Sequence, residues 1–159
     1  MFSVKFGNLN DVEHIIRLWK GMMHYHVKFS PLFNLCEDPE RFYKMYLVNS
    51  LNNPEVAYGV IYDETDAILG YVRGSIISRA PIFEKRRIGM INEIYVSTEH
   101  RRKGLGRKLT EFVFNWFTEK GVEYIELEVS SGNSDSVKFW ESIGFTNYKL
   151  KMSINYGKK

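Results

Sequence analysis

The residues with the clearest capacity for chemistry lie in one stretch, where basic side chains and two glycines follow a strand-like run. Residues 91–96 read Ile-Asn-Glu-Ile-Tyr-Val, and residues 101–106 read Arg-Arg-Lys-Gly-Leu-Gly at the start of an amphipathic helix. Glycines at a helix start let the backbone approach a ligand closely, and the first helical N–H groups have no partner within the helix. This turn therefore predicts a site for a phosphorylated ligand.

The distribution of charge supports this interpretation. The whole chain carries a net charge of +3, and residues 100–108 contain five basic residues and no acid, so the other residues sum to −2. Two familiar nucleotide motifs do not fit: a dinucleotide-binding turn requires glycine where Leu109 stands, and a Walker loop requires Lys-Ser/Thr directly after Gly106. The alternative is a tight strand-to-helix turn with a solvated basic face.

A second segment further along the chain gives the turn a context. Residues 124–129 form a β-rich run, and residues 133–145 read Asn-Ser-Asp-Ser-Val-Lys-Phe-Trp-Glu-Ser-Ile-Gly-Phe. Together the two segments resemble the GNAT superfamily of acyl-CoA-dependent N-acyltransferases. That family has a strand ending in Val, then Arg/Gln-x-x-Gly-x-Gly/Ala at a helix start, and later Asn-x-x-Ala-x-x-Phe-Tyr-x-x-x-Gly-Phe. The order of elements extends the resemblance over nearly the whole chain.

The resemblance implies a binding site for acetyl-CoA. Backbone groups of the strand that ends at Val96 would hydrogen-bond the pantetheine amides as an added strand does. The basic turn would hold the pyrophosphate, partly through its backbone N–H groups, and Asn133 would orient the pantetheine or a strand end. The implied cofactor-binding residues are Ile94, Tyr95, Val96, Arg101, Arg102, Lys103, Gly104, Leu105, Gly106, Arg107, Asn133, Ser136, Phe139 and Trp140.

Two residues depart from the family pattern. Ser136 replaces an alanine, which is a change between small residues, and Trp140 replaces a tyrosine whose phenol often protonates the leaving thiolate. An indole N–H cannot give up its proton at ordinary pH. A thiol of pKa about 8.5 takes up its proton at pH 7 with a gain of roughly 2 kcal/mol, so the change should slow the reaction rather than abolish it. Our hypothesis is that Trp140 packs on the pantetheine arm and that water or another residue supplies the proton.

The implied reaction is attack of an amine on the thioester, and it needs a base. Neutralising an alkylammonium of pKa about 10.4 at pH 7 costs about 4.6 kcal/mol. The best candidate is Glu93, with Asn92 beside it able to order a water; Glu126 and Glu128 are weaker candidates. Because side chains alternate along a strand, only one of Asn92 and Glu93 can face the gap unless a bulge intervenes. The alternative is that Glu93 is an ordinary half-exposed strand acid.

The predicted fold class is α/β, of the mixed α+β kind, in one domain over residues 1–159. The resemblance implies GNAT-like α-β-α layers around a mixed, mostly antiparallel sheet with a splayed parallel central pair. The strands near 91–96 and 123–129 are joined through a helix and should be that parallel pair. The element order is β-α-α-β-β-β-α-β-α-β, with a final strand in residues 147–156.

Capping and breaking residues set the predicted ends of the helices. Asn10 or Asp11 can cap the first helix, residues 40–51 form a second helix, and Gly121 ends the helix that follows Gly106. The β-rich runs 55–62 and 67–77 are joined by a short acidic turn and predict a hairpin.

The function favoured by these features is transfer of an acetyl group from acetyl-CoA to a primary amine by direct attack in a ternary complex. The alternative is a CoA-binding regulatory or interaction module with the same fold and little turnover. The acceptor, a small molecule or a peptide, is left open by the sequence. A homodimer is also open, since many members of the resembled family dimerise.

Other partners are not expected. No apolar run reaches the length of a membrane span, and the basic residues form no long stripe interleaved with stacking aromatics, so neither a membrane nor a nucleic acid is predicted. Residues 1–8 read as a strand rather than a signal peptide, which predicts a cytoplasmic protein. His24 and His26 are two apart, a poor metal pair, so no metal is expected and either could line the acceptor pocket.

Overall fold

The computed structural model describes residues 2–157, and residues 1, 158 and 159 lie outside this part. By their contacts the residues divide into two units, the first reaching to Glu128 and the second beginning at Val129. The expectation of one domain over residues 1–159 stays a prediction. The main elements are β1 (Ser3–Phe6), α1 (Val12–His26), α2 (Pro39–Leu51), β2 (Val56–Tyr62), β3 (Ile68–Ser78), β4 (Arg87–Val96), α3 (Leu105–Glu119), β5 (Tyr124–Leu127) and α4 (Ser134–Glu141).

The first unit is built on a five-stranded sheet in the order β1-β2-β3-β4-β5. The first three pairings are antiparallel, and β4 and β5 are parallel. The parallel pairing joins Ile88–Ile91 to Tyr124–Leu127 only, so residues 92–96 of β4 extend past the end of the β5 ladder. The mixed α/β class and the parallel β4–β5 pair are therefore confirmed, but in the part of the chain that the structure describes β5 lies at the edge of the sheet and not at its centre. The pair separates after Ile91, where the candidate site begins.

Helices α1 and α2 cover one face of this sheet. Tyr58 on β2 and Tyr71 on β3 belong to the same buried cluster as Trp19 of α1 and Leu47 of α2. Because side chains alternate along a strand, every second residue of β3 after Tyr71 also points to this face. We refer to it below as the α1/α2 face.

Helix α3 covers the opposite face, and three glycines let it lie close to the strands. A Cβ added at Gly59 would lie 2.4 Å from the Phe112 ring, and one at Gly74 would lie 2.5 Å from a Val113 methyl group. At Gly89 the added atom would lie 2.9 Å from the Phe117 ring. This close packing fixes α3 against the sheet and so determines where its first turn lies beside the end of β4.

The start of α1 differs from the sequence prediction. Asp11 occupies the N-cap position of α1, as one of the two predictions has it, but its side chain makes no capping bond there. The capping bonds are made one turn earlier, where the Asn8 side chain accepts from the Asn10 N–H and the Asp11 carboxylate accepts from the Asn8 N–H. These bonds close a 3₁₀ turn over Leu9–Asp11 that leads into α1. Asp11 also accepts from the Tyr62 hydroxyl at 2.8 Å, so it is committed to the sheet rather than to the helix end.

The second unit contains α4 and a segment without regular structure. The predicted final strand in residues 147–156 is wrong: residues 146–157 form neither strand nor helix. The apolar residues of this segment alternate with polar ones and are largely exposed, for example Leu150 at 87 %, Met152 at 90 % and Ile154 at 83 %. A strand exists through its hydrogen-bond ladder with a neighbour, which a local alternation does not supply.

Candidate active site

A β-bulge in β4 brings both predicted catalytic residues to the same face. Arg73 of β3 pairs with Glu93, but the next residue, Gly74, pairs with Ile91, so Asn92 is the extra residue of the bulge. The Asn92 side chain accepts from the Ser75 hydroxyl at 2.8 Å, and Ser75 points to the α1/α2 face as Arg73 does. Asn92 and Glu93 therefore both face α1 and α2, which a regular strand would not allow.

Glu93 lies in a cluster with two tyrosines. Its Oε2 atom accepts from the Tyr43 hydroxyl at 2.7 Å and from the Tyr71 hydroxyl at 2.6 Å. Neither bond uses Oε1, which accepts no hydrogen bond from the residues in the described range. Glu93 itself is half-buried, so one carboxylate oxygen is held by the protein and the other can meet a ligand. We call Tyr43, Tyr71 and Glu93 the tyrosine–carboxylate cluster.

The two tyrosines are fixed by the core around them. The Tyr43 ring stacks on Trp19 with centroids 4.2 Å apart and planes 7° apart, and Tyr71 is fully buried. Burial and then the negative charge of Glu93 raise the pKa of the Tyr43 hydroxyl far above its usual value, and the same causes raise the pKa of Tyr71. Both phenols therefore stay protonated and donate to Glu93 throughout the ordinary pH range.

Arg73 lies beside Glu93 on the α1/α2 face. It is 7 % exposed, and its Nε atom is enclosed without a hydrogen-bond partner. The guanidinium carbon lies 4.9 Å from the centre of the Tyr46 ring and 5.9 Å from that of Tyr58, which are cation–π distances. Nothing in the sequence shows that an arginine on β3 is buried, so this residue could not be predicted as part of the site.

The unpaired end of β4 offers backbone groups to a ligand. The Ser97 N–H donates to the Leu69 carbonyl at 2.9 Å, so the backbone groups of Ser97 and Tyr95 face β3. Those of Ile94 and Val96 face the opposite edge, beyond the β5 ladder. The Nε atom of Arg101 donates to the Val96 carbonyl at 3.2 Å. Of the three predicted residues, Ile94 and Val96 can therefore meet an added strand, and the Tyr95 backbone cannot.

The basic turn, residues 97–107, leads from this edge into α3. Arg102 has φ +62° and Gly104 has φ +77°, and left-handed residues of this kind turn successive N–H groups towards one side. A Cβ built on Gly104 meets nothing within 4 Å, so the space before the helix is open. No side chain caps α3, and its first turn holds no acid. This is the arrangement that favours an anion at a helix N-terminus.

The basic side chains of this turn differ in how they are held. Arg102, Lys103 and Arg107 are exposed. Arg101 is also exposed, but its guanidinium carbon lies 5.4 Å from the centres of both the Tyr25 and the Tyr95 rings. Leu105 is 1 % exposed and anchors the start of α3, while Gly106 accepts from the Thr110 hydroxyl at 2.9 Å.

The second unit gives its predicted site residues structural contacts. Asn133 is 5 % exposed and caps α4, accepting from the Ser136 N–H at 3.3 Å. Trp140 is 6 % exposed and meets Phe139 and Phe145 edge to face, with centroids 4.9 Å and 5.3 Å apart. Little of the indole surface is therefore left for a pantetheine arm, which weakens the hypothesis of direct packing.

Of the two histidines near the end of α1, only His24 lines a cavity there, of about 430 Å³. His24 lines it together with Lys20, Val27 and Leu35, and none of the predicted catalytic residues does. Burial lowers the pKa of His26 below its usual value, so this histidine is neutral at pH 7. Within residues 2–157 no group of three or more His, Cys, Asp or Glu side chains could hold a metal, and no helix is long and apolar enough to cross a membrane.

The tyrosine donors are the functional residues that sequence reasoning missed. Tyr43 is 50 residues from Glu93 along the chain and Tyr71 is 22 residues away. A hairpin pattern places Tyr71 on β3, but only the register of β3 against β4 shows which side chain it meets. The sequence gives only a weak indication of these donors, namely that several tyrosines in strands and helices have no obvious partner for their hydroxyl groups.

Comparisons with known proteins identify the family of this chain. The family model for acetyltransferases of the GNAT family matches residues 19–145. Mycothiol acetyltransferase from Renibacterium salmoninarum is 30 % identical over 94 residues, which is 59 % of this chain and 27 % of that protein. This chain spans less than half the length of the curated relatives that it matches.

Solved structures share the fold. A mutant of the BH1408 protein from Bacillus halodurans superposes with a TM-score of 0.87 at 21 % identity, covering 96 % of this chain and 98 % of that one. A predicted acetyltransferase with acetyl-CoA from Clostridium acetobutylicum gives a TM-score of 0.80 at 16 % identity, covering 98 % and 96 %. The family match over residues 19–145 is what decides the assignment: this chain belongs to the acetyltransferase (GNAT) family.

Proposed function

We propose that this chain is an acetyl-CoA-dependent N-acetyltransferase that moves an acetyl group to a primary amine by direct attack in a ternary complex. The observation that carries the proposal is Glu93, a carboxylate held at a bulge with one oxygen uncommitted, on the strand whose free end runs into the basic turn. A base and an anion site are thus joined by a few residues of one strand.

Acetyl-CoA fits the features of the turn and of the strand before it. The open space at Gly104 and the uncapped N–H groups of α3 suit a pyrophosphate, with Lys103 and Arg107 adding positive charge. The outward backbone groups of Ile94 and Val96 suit pantetheine amides. Residues Asn133, Ser136, Phe139 and Trp140 remain proposed cofactor residues on the resemblance alone. When bound, acetyl-CoA supplies the activated acyl group.

The chemical role proposed for the protein is to hold and deprotonate the amine. Oε1 of Glu93 accepts the proton of the incoming ammonium, while Oε2 stays bonded to Tyr43 and Tyr71. Two fixed donors keep the carboxylate in one orientation, so the amine is met by a base that needs no rearrangement. Asn92, fixed by Ser75, is placed to order a water beside it. No protein acid for the leaving thiolate is assigned.

The test is thiol release from acetyl-CoA with a panel of amines: free amino acids, polyamines, an aminoglycoside and short peptides with free or blocked N-termini. Release that depends on one class of amine is the expected result. Heat stability with and without acetyl-CoA is measured in parallel. If acetyl-CoA stabilises the protein and no amine releases thiol, the CoA-binding module is the better description, and if neither occurs the proposal fails. The cytoplasmic location and the homodimer stay predictions.

A further inference from the structure

Two opposite charges lie side by side on the α1/α2 face without forming an ion pair. Arg73 and Glu93 are direct partners across β3 and β4, a position in which Cβ atoms are about 4.5–5.5 Å apart. An ion pair at such a position would be favourable. Within residues 2–157 Arg73 takes part in no ion pair.

Aromatic residues hold the two groups apart. The Glu93 carboxylate is held by the Tyr43 and Tyr71 hydroxyls through a single oxygen. The Arg73 guanidinium lies instead against the Tyr46 and Tyr58 rings. Each charge therefore keeps capacity for a further partner: Oε1 of Glu93 can accept, and the guanidinium can donate.

The burial of Arg73 makes its missing acceptor significant. A guanidinium carries five N–H donors and stays charged at any working pH, and this one is 7 % exposed with Nε enclosed. Burying a charge without a hydrogen-bonded counter-charge is strongly unfavourable. Cation–π contacts offset only part of that penalty, at about 0.5–2 kcal/mol each, and they supply no hydrogen-bond acceptor. An anionic group of a ligand would supply the missing partner.

We propose that Arg73 binds the carboxylate of the acceptor and that the acceptor is a free amino acid. The inference rests on the proposed function, because it takes Glu93 as the group that meets the amine. An amino acid carries an ammonium and a carboxylate a few ångströms apart, which matches a free carboxylate oxygen and a free guanidinium on neighbouring strands. Its ammonium meets Oε1 of Glu93 and its carboxylate meets Arg73.

Other acceptor classes fit this pair of charges less well. A polyamine would bring further positive charge next to a buried guanidinium that has no hydrogen-bonded counter-charge. A peptide N-terminus has an amide where the free amino acid has its carboxylate, so Arg73 would stay unpaired. The cofactor phosphates have a separate candidate site in the basic turn, where N–H groups and exposed basic residues are available.

The experiment compares each amino acid with the amine that lacks its carboxylate: phenylalanine with phenethylamine, tyrosine with tyramine, and leucine with isoamylamine. The wild-type protein is expected to prefer the amino acid in kcat/KM by about 10- to 100-fold, the range for hydrogen bonds between charged groups. Arg73→Met is expected to reduce that preference at least tenfold, and Arg73→Lys to reduce it less. Arg79→Met, at an exposed arginine just past the end of β3, is the matched control.

A binding measurement makes the result independent of turnover. In the presence of CoA, the amino acids should raise the melting temperature of the wild-type protein and not that of Arg73→Met. The melting temperature of Arg73→Met alone should not fall, because the substitution removes a buried charge that has no hydrogen-bonded counter-charge. Equal kcat/KM for both members of each pair, or the same preference in wild type and Arg73→Met, would overturn the inference while leaving the N-acetyltransferase intact. Absence of thiol release with every amine would instead reject the proposed function. The melting temperatures with and without amino acid would then decide whether Arg73 binds a carboxylate.

Discussion

The basic turn is exposed to solvent, whereas the tyrosine–carboxylate cluster is largely buried. The turn presents Arg102, Lys103 and Arg107 to solvent and offers backbone N–H groups at the start of α3. The cluster holds one carboxylate with two buried hydroxyls, at 2.7 Å from Tyr43 and 2.6 Å from Tyr71. Backbone and exposed charge suit the attachment of a large charged ligand, and buried fixed side chains suit the placement of one reacting group.

This difference predicts that substitutions in the two regions change different properties of the protein. Charges in water interact weakly and are screened, so single basic residues of the turn should each contribute little to binding. A buried hydrogen bond to a carboxylate contributes more, about 1.5–3 kcal/mol, and its loss leaves a group unsatisfied. Substitutions in the turn should therefore act on cofactor affinity, and substitutions in the cluster on turnover and stability.

The substitution Glu93→Gln should have the largest effect on activity. It removes the base but keeps an oxygen that can accept from Tyr43 and Tyr71, so the fold should survive. The value of kcat should fall about 10²- to 10⁴-fold, the usual contribution of general base catalysis, with acetyl-CoA affinity unchanged. Glu126→Gln, on the half-buried weaker candidate of β5, is the control. If kcat falls less than tenfold in Glu93→Gln, or falls further in Glu126→Gln, then a residue other than Glu93 is the base.

In the basic turn, Gly104→Val should weaken acetyl-CoA binding at least tenfold. The residue has φ +77°, which a β-branched side chain tolerates poorly, and the added atoms would occupy the open space before α3. Titration calorimetry with acetyl-CoA measures the effect, and circular dichroism checks that the variant is folded. Gly121→Val, at the other end of the helix with φ +69°, should carry similar strain and leave the affinity intact. Unchanged affinity in a folded Gly104→Val protein would contradict the placement of the pyrophosphate.

A smaller effect is expected for Tyr43→Phe, which deletes one donor to Glu93 and keeps the stacking on Trp19. The free energy of unfolding should fall by about 1–3 kcal/mol, since a partly buried carboxylate oxygen loses a hydrogen bond. Urea denaturation measures this change. Tyr46→Phe, three residues further along α2 at a 43 % exposed position, should change stability by less than about 0.5 kcal/mol. If the two variants are equally stable, the bond to Glu93 carries no stabilisation.

The smallest effect should appear at high pH. Burial and Glu93 raise the pKa of Tyr43 in the folded state, while in the unfolded chain the group titrates near 10. Above about pH 10 the unfolded state then binds fewer protons than the folded state. The contribution of Tyr43 to the free energy of unfolding is therefore fully present below that pH and is lost as the pH rises further. Removing one such tyrosine by Tyr43→Phe should make the fall shallower by up to about 1.4 kcal/mol per pH unit. An identical slope in both proteins would mean that Tyr43 titrates normally.

The exposed region was the one that could be predicted from the sequence. The motif from Arg101 to Gly106 is contiguous, and its function depends on backbone conformation and local charge, which local sequence encodes. The mixed sheet, the parallel pair and the end of α3 near Gly121 follow from local patterns for the same reason, and the structure confirms them. The predicted roles of the residues in the turn stay predictions.

The buried region depends on long-range register, which local patterns do not encode. The sequence left open whether Asn92 or Glu93 faces the gap between the parallel strands, and a one-residue bulge against β3 turns both side chains to the α1/α2 face. The partners of Glu93 come from α2 and β3, and the burial of Arg73 follows from packing of Tyr46 and Tyr58 around it. The prediction of a final strand in residues 147–156 was wrong for a related reason, since a local sequence pattern does not provide a neighbouring strand.

The most direct test of the account is a crossed measurement on Glu93→Gln and Gly104→Val. The dissociation constant of acetyl-CoA and kcat at saturating acetyl-CoA would be determined for both variants with the acceptor that the amine panel identifies. Glu93→Gln should lose kcat at least about 100-fold and keep its affinity, while Gly104→Val should lose affinity at least tenfold and keep most of kcat. If both quantities fall together in each variant, or if Glu93→Gln turns over normally, then the division between a cofactor-binding turn and a catalytic cluster is wrong.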